Sequence, residues 1–207
     1  MSRMKNFFVR AERRLYIEIK KRRLKNKNAS LITDNCIGGI ICHDMNMRFN
    51  SPTVNLWLKP GDFIKLLQNP QNYFGVAPVE VFEDGIDYPI GEINGIRLYF
   101  MHYQSFENAK AKWLERSARI DYYNVYIIMT DKNNCSREHI QAFDALPYRH
   151  KILLSHLDLS RDYECVHYIK GFEDCDEVGT LTDFKPGLKK RRYIDSFDYV
   201  NFLNSRD

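Results

Sequence analysis

Asn124-Val125-Tyr126-Ile127-Ile128-Met129 is the stretch that decides the fold. It reads as a strand buried on both faces, large and apolar after its first residue and free of charge. The polar run Thr130-Asp131-Lys132-Asn133-Asn134 ends it. Arg137 to Ala145 then has helical periodicity, with Ser136 placed as its cap, and Lys151 to Leu154 is a second apolar strand. Strand, helix and strand in that order predict a parallel sheet covered by helices.

Reading outward extends the pattern. Upstream, Ser30 to Asn35 is a strand, Val54 to Leu58 a short apolar piece, and Pro60 opens a helix that Pro70 stops. Val79 to Phe82 and Ile90 to Ile93 read as paired strands, and Asn94-Gly95 is a hairpin turn leading into a strand from Arg97 to Tyr103. Ser105 caps a helix from Phe106 to Arg119. Downstream, Cys165 to Ile169 is one more strand, and Asp195 or Ser196 caps a last helix over about Phe197 to Leu203. The expected fold is α/β: a three-layer α/β/α domain with a mainly parallel sheet plus a hairpin, spanning residues 28–207. A basic amphipathic helix, residues 1–27, precedes it.

Composition narrows the function. The chain has 207 residues, 44% of them hydrophobic and 14% aromatic, which suits a folded globule. Eleven basic residues face only Glu12 and Glu18 within residues 1–27, while the rest carries 20 basic and 25 acidic residues. An acidic body argues against a nucleic-acid partner. The basic helix has Phe8, Ala11, Leu15 and Ile19 on one stripe. It is suited to an anionic membrane surface, to its own domain, to RNA or to a second subunit. Lys25-Asn26-Lys27-Asn28 reads as a linker. No run is long and apolar enough to span a bilayer, and the N-terminus lacks the features of a secretory signal. A cytoplasmic protein, peripheral on the inner face of the membrane, is expected. The cysteines Cys36, Cys42, Cys135, Cys165 and Cys175 lack zinc or disulfide spacing.

Ligands of open α/β sheets bind beyond the carboxyl ends of the strands. Those ends offer Asn35-Cys36, His102-Tyr103, Thr130-Asp131 and Ser155-His156. Cys36 as nucleophile, His102 as general base and Asp131 as its orienter would form an acyl-transfer triad, if these strands run parallel. Backbone N–H groups of Ile37-Gly38-Gly39 could bind the oxyanion. Asn35, Gly38, Gly39 and Ser51 are expected to line the substrate. Lys112, Arg116 and Arg119 recur at helical spacing as a cationic stripe for phosphate or carboxylate. No metal site is expected and the cofactor is left open. Asp131 also invites a metal-dependent glycosyltransferase reading, although Asn133 replaces the usual second aspartate. Dinucleotide, Walker and Gly-x-Ser-x-Gly motifs are absent.

Asn35-Cys36-Ile37-Gly38-Gly39, Phe49-Asn50-Ser51-Pro52-Thr53, His102-Tyr103, Ser105-Phe106, Lys112-Trp113 and Thr130-Asp131 together resemble the signature blocks of a bacterial family of unknown function. Its members are commonly labelled exopolysaccharide or capsule biosynthesis proteins. The resemblance covers nearly the whole chain from about Asn28. It implies an α/β/α fold and a setting in surface-polysaccharide assembly, with a glycan or lipid-linked glycan precursor as partner. It supplies no catalytic residues. Three readings therefore stand: acyl-type transferase, nucleotide-sugar glycosyltransferase, and non-catalytic assembly subunit.

Overall fold

The computed structural model describes residues 2–187 and 191–205, with side chains from Ala11 on. Helix α1 (Ser2–Arg23) leads into strand β1 (Ser30–Thr33) and helices α2 (Ile37–Met45) and α3 (Pro60–Gln68). Strands β2 (Val79–Val81), β3 (Ile90–Ile93) and β4 (Ile96–Tyr99) follow, then α4 (Phe106–Ser117). The chain continues through β5 (Val125–Thr130), α5 (Arg137–Asp144), β6 (Lys151–Ser155), β7 (Val166–Tyr168) and α6 (Tyr199–Asn204).

Four strands form a parallel sheet in the order β1-β5-β6-β7. Side chains alternate across it, so each strand feeds two cores. Ile32, Ile127, Met129 and Leu153 pack with Phe63 and Leu66 of α3, Trp113 of α4 and Phe143 of α5. Leu31, Tyr126, Ile128 and Leu154 pack with Ile17 of α1, Ile41 of α2 and Val200 of α6. The three layers expected from the βαβ rhythm are present.

Helix starts match local chemistry. The Ser105 hydroxyl accepts the Asn108 N–H, and the Ser136 hydroxyl accepts that of His139. Asp198, rather than Asp195 or Ser196, caps α6, and it accepts from the Asn201 N–H.

The hairpin belongs to a separate antiparallel sheet, β2-β3-β4. Asn94 (φ 48°) and Gly95 (φ 76°) make its turn in the left-handed region. Trp57 and Tyr99 exchange both backbone hydrogen bonds at 3.0 Å, which ties the small sheet to the segment after α2. The strand that delivers His102 therefore does not lie in the parallel sheet. It ends at Tyr99, and His102 sits in the turn beyond it.

Residues 25–28 are not a solvated linker. Lys25 and Asn26 donate backbone N–H bonds to the Asn204 side chain, and the buried Asn26 amide donates to Asn124 and to the Tyr126 hydroxyl. Among the described residues, no helix is long and apolar enough to cross a membrane.

Candidate active site

β1 ends at Thr33, and Asp34-Asn35-Cys36 turns the chain into α2. The Asn35 side chain holds that turn from both ends. Its amide donates to Thr130 Oγ1 at 2.8 Å and its oxygen accepts the Ile37 N–H at 3.0 Å. Cys36 is thereby fixed at the head of α2, half-buried. His102 Nε2 lies 3.1 Å from Cys36 Sγ, reaching across 66 positions of sequence. Met101 Sδ is 3.8 Å from the same sulfur.

Burial pushes the Cys36 thiol up to about 11, and the nearby Asp34 carboxylate adds to the rise. The resting sulfur is therefore protonated, and in the His102 tautomer that leaves Nε2 without a proton its S–H can donate to Nε2. This is a neutral thiol–imidazole pair, in which the base must take the proton as the sulfur attacks.

The pair lines two cavities. One, of about 400 Å³, is lined by Cys36, His102, Ile37, Trp57, Lys132 and Thr180 among others. The other, of about 680 Å³, also contains Cys36 and His102, with His43, Phe49, Asn55 and Arg192. A third cavity, of about 490 Å³, lies over the small sheet and touches neither residue.

Trp57 is rigidly held. Tyr99 stacks on one indole face at 3.9 Å between centroids, and the indole N–H donates to Tyr88 Oη at 3.1 Å. The residue is half-buried, so the ring has unstacked surface to offer the smaller cavity.

Asp131 does not orient His102. Its Oδ2 accepts from Ser155 Oγ (2.7 Å), His156 N (2.8 Å) and His156 Nδ1 (2.6 Å), and Oδ1 accepts from Val178 N (2.8 Å). The reason is topological: β6 neighbours β5 in the sheet, whereas His102 arrives from another sheet. Among the described residues, His102 has no hydrogen-bond partner besides Cys36.

The expected cationic stripe is also spent. Arg116 is buried, donates to Val54 O (3.2 Å) and Tyr103 Oη (2.8 Å), and lies over the Phe49 ring. Lys112 and Arg119 both pair with Glu115, and Arg119 also donates to Phe49 O at 3.2 Å. Arg116 and Arg119 pin α4 to the Phe49–Val54 segment, and Lys112 pairs within the helix.

Ser51 is fully buried, and its hydroxyl shares a 3.0 Å hydrogen bond with that of Thr53. It shapes a loop and does not face substrate. Gly38 and Gly39 serve close packing. A Cβ on Gly38 would meet Thr33 Oγ1 at 2.6 Å, and one on Gly39 would meet Asn55 Oδ1 at 2.9 Å. The Ile37 N–H is taken by Asn35, which leaves the N–H groups of Gly38 and Gly39 without an acceptor among the described residues.

Asp34 is the site residue that motif reading passed over. It is buried, its Oδ2 accepts both the N–H and the hydroxyl of Thr130, and its Oδ1 has no partner. Burial pushes the carboxyl up to about 7 against the pull of the Thr130 bonds. A raised carboxyl contributes stability below its unfolded value near 4 and loses it as pH rises through 7. Wild type should therefore lose roughly 1.4 kcal/mol per pH unit across that window relative to Asp34→Asn. Urea unfolding of both between pH 4.5 and 7.5 tests this, and parallel profiles would refute it. The available signal was the carboxylate's place at the end of the short Ser30–Thr33 strand, which is buried throughout. Trp57 had a weaker one, as a tryptophan within a short apolar piece that belongs to no helix.

The whole chain has counterparts. The family described as "Domain of unknown function (DUF1919)" matches residues 6–204. A protein of Haemophilus influenzae (strain ATCC 51907 / DSM 11121 / KW20 / Rd), described as "Uncharacterized protein", is 38% identical over 184 residues. The match covers 89% of this chain and 88% of that protein. Neither description names a reaction or a polysaccharide.

Proposed function

The chain belongs to the DUF1919 family, and from that premise we propose that it is an acyl-type transferase acting through Cys36 and His102. The observation that carries this reading is the 3.1 Å contact between Sγ and Nε2 of two residues that line two cavities. A hydrolase needs room for one substrate and water. A transferase needs a place for a donor and another for an acceptor, both within reach of one nucleophile.

In the proposed reaction Sγ attacks the acyl carbon of a donor in one cavity while Nε2 takes the thiol proton. The C–S bond forms, the bond to the leaving group breaks, and the imidazolium returns the proton to that group. An acceptor hydroxyl in the other cavity then attacks the thioester. Nε2 takes the hydroxyl proton, the C–O bond forms, the C–S bond breaks, and the sulfur recovers the proton. The Gly38 and Gly39 N–H groups are the donors available to the tetrahedral oxyanion.

The acceptor is proposed as a surface glycan or its lipid-linked precursor. The family resemblance supports that identity, and Trp57 is compatible with it. A fixed indole face beside Thr180, Asn133 and Lys132 suits a sugar ring, apolar on its faces and hydroxylated around its edge. The metal-dependent glycosyltransferase reading has less support, because all the acceptor contacts of Asp131 go to protein donors.

The direct test is acyl-enzyme formation with p-nitrophenyl acetate, read by mass spectrometry of the intact protein and its peptides. Wild type and Cys42→Ala are expected to gain one acetyl group on Cys36, and Cys36→Ala none. Cys42 is buried, and burial pushes its thiol up to about 12, so it does not compete. Acetylation that persists elsewhere in Cys36→Ala at the wild-type rate would end the thiol mechanism.

A further inference from the structure

Helix α1 turns two of its cations toward the body. Arg13, Ile17, Lys20 and Leu24 form the face that meets the body, and three of these four are at most 8% exposed alongside Lys20 at 3%. Arg13 and Lys20 pair with Asp195, and Arg13 also pairs with Asp44 at 3.1 Å. Lys20 Nζ sits 3.6 Å from the centroid of the Tyr199 ring. The opposite face carries Leu15 at 65% exposure and Ile19 at 51%. Sequence periodicity had picked out this same stripe, together with Ala11 and with Phe8, whose side chain lies outside the described residues. An amphipathic helix normally buries its apolar stripe and leaves its cations to water. Here two cations, Arg13 and Lys20, are inward beside Ile17 and Leu24, and Leu15 and Ile19 are outward.

Charge says what the stripe fits. Arg22 lies on the Leu15 side of the stripe about one turn beyond Ile19, Arg14 stands at the edge of this face, and Lys25 and Lys27 follow, all exposed. Glu12 and Glu18 lie on the same side, and Glu18 is answered by Lys21 at 2.7 Å. The outward surface is thus net positive with an apolar centre. Two copies brought face to face would repel. An anionic interface offers acyl chains to the centre and phosphates to the rim.

We propose that the outward face of α1 docks flat on an anionic lipid membrane, with Leu15 and Ile19 in the acyl boundary and Arg22 and Arg14 on lipid phosphates. The contact is independent of the thiol chemistry and is read by binding alone. It also gives the inward ion pairs a role, since they fix the helix so that its stripe faces away from the body.

The experiment is co-sedimentation of the full chain with phosphatidylcholine vesicles, with or without phosphatidylglycerol, at low and high salt. Light scattering of the free protein runs in parallel. Wild type is expected to partition onto the anionic vesicles, not onto the neutral ones, and to be released by salt. Leu15→Glu/Ile19→Glu should lower the partition coefficient by roughly tenfold or more. Arg22→Glu should lower it less. Val79→Glu, at a site 69% exposed on the small sheet, should leave it unchanged. Circular dichroism confirms that each variant is folded. The proposal is overturned if wild type ignores anionic vesicles, or if the double variant binds them as wild type does. It is also overturned if wild type is a dimer that the double variant converts to monomer, which would assign the stripe to a second copy.

Discussion

His102→Ala is expected to slow acetylation of Cys36 by p-nitrophenyl acetate by about 10²- to 10⁴-fold at neutral pH, the usual range for losing a positioned general base. The effect is large because at neutral pH the sulfur has no other base to take its proton. With the thiol pushed up to about 11, about one molecule in 10⁴ carries a thiolate at pH 7. Asp34 opposes ionisation further, and Met101 offers the sulfur no proton acceptor of consequence. Nε2 at 3.1 Å is the group that can take the proton during attack. The variant rate should climb only toward the thiol's own ionisation, at alkaline pH, whereas the wild-type rate should rise well below that. His102 is exposed in a turn, so its removal leaves the cores untouched and the comparison is one of chemistry. Equal rates and equal pH profiles for the two proteins would remove the dyad from the mechanism.

Asp195→Ala should destabilise the chain by roughly 3–5 kcal/mol, the range for deleting one member of a buried ion pair. Asp195 is 1% exposed and accepts from Arg13, from Lys20 and, at 2.8 Å, from the Arg192 backbone N–H. Burial already lowers the pKa of Lys20, and the Asp195 charge is the main influence opposing that shift. Without the carboxylate, Lys20 stays against Tyr199 as a desolvated cation. Removing Lys20 as well, as in Lys20→Met/Asp195→Leu, should recover part of the loss, because one buried cation goes with the carboxylate and Arg13 keeps Asp44. Urea unfolding of the three proteins checks this. A loss under 1 kcal/mol for Asp195→Ala would mean that water screens the cluster and that α1 is held mainly by its other contacts, Ile17 and Leu24 among them. The same variant bears on the membrane proposal, since loosening α1 frees the stripe from its fixed outward orientation.

Local features of this chain were legible residue by residue. The apolar run through Met129, the capping serines Ser105 and Ser136, and the Asn94-Gly95 turn each act within a few positions. Their signals are set by backbone geometry and by hydrogen bonds that close inside one turn or one hairpin. Rim candidates were legible as types, because a strand's carboxyl end is a local property. Their partners were not. His102 was expected beside Cys36 through a shared parallel sheet, yet it reaches Cys36 from an antiparallel one, joined at Trp57 and Tyr99. Asp131 was expected on His102, yet its neighbour in the sheet gives it His156.

The arginines of α4 and the cations of α1 make the same point about charge. Spacing places Lys112, Arg116 and Arg119 on one helical stripe, and it places Leu15 and Ile19 on another. It does not say which stripe faces the protein. That depends on what the facing surface presents: Val54 O and Tyr103 Oη for Arg116, and Asp195 and Asp44 for α1. The sequence by itself determined most of the elements, though not α2, together with their order and the three layers, because periodicity and capping are short-range and repeat along the chain. Only the tertiary structure decided which side chains meet. Such contacts join residues 66 or 182 positions apart, and their geometry follows from strand order and from the pairing of buried charge.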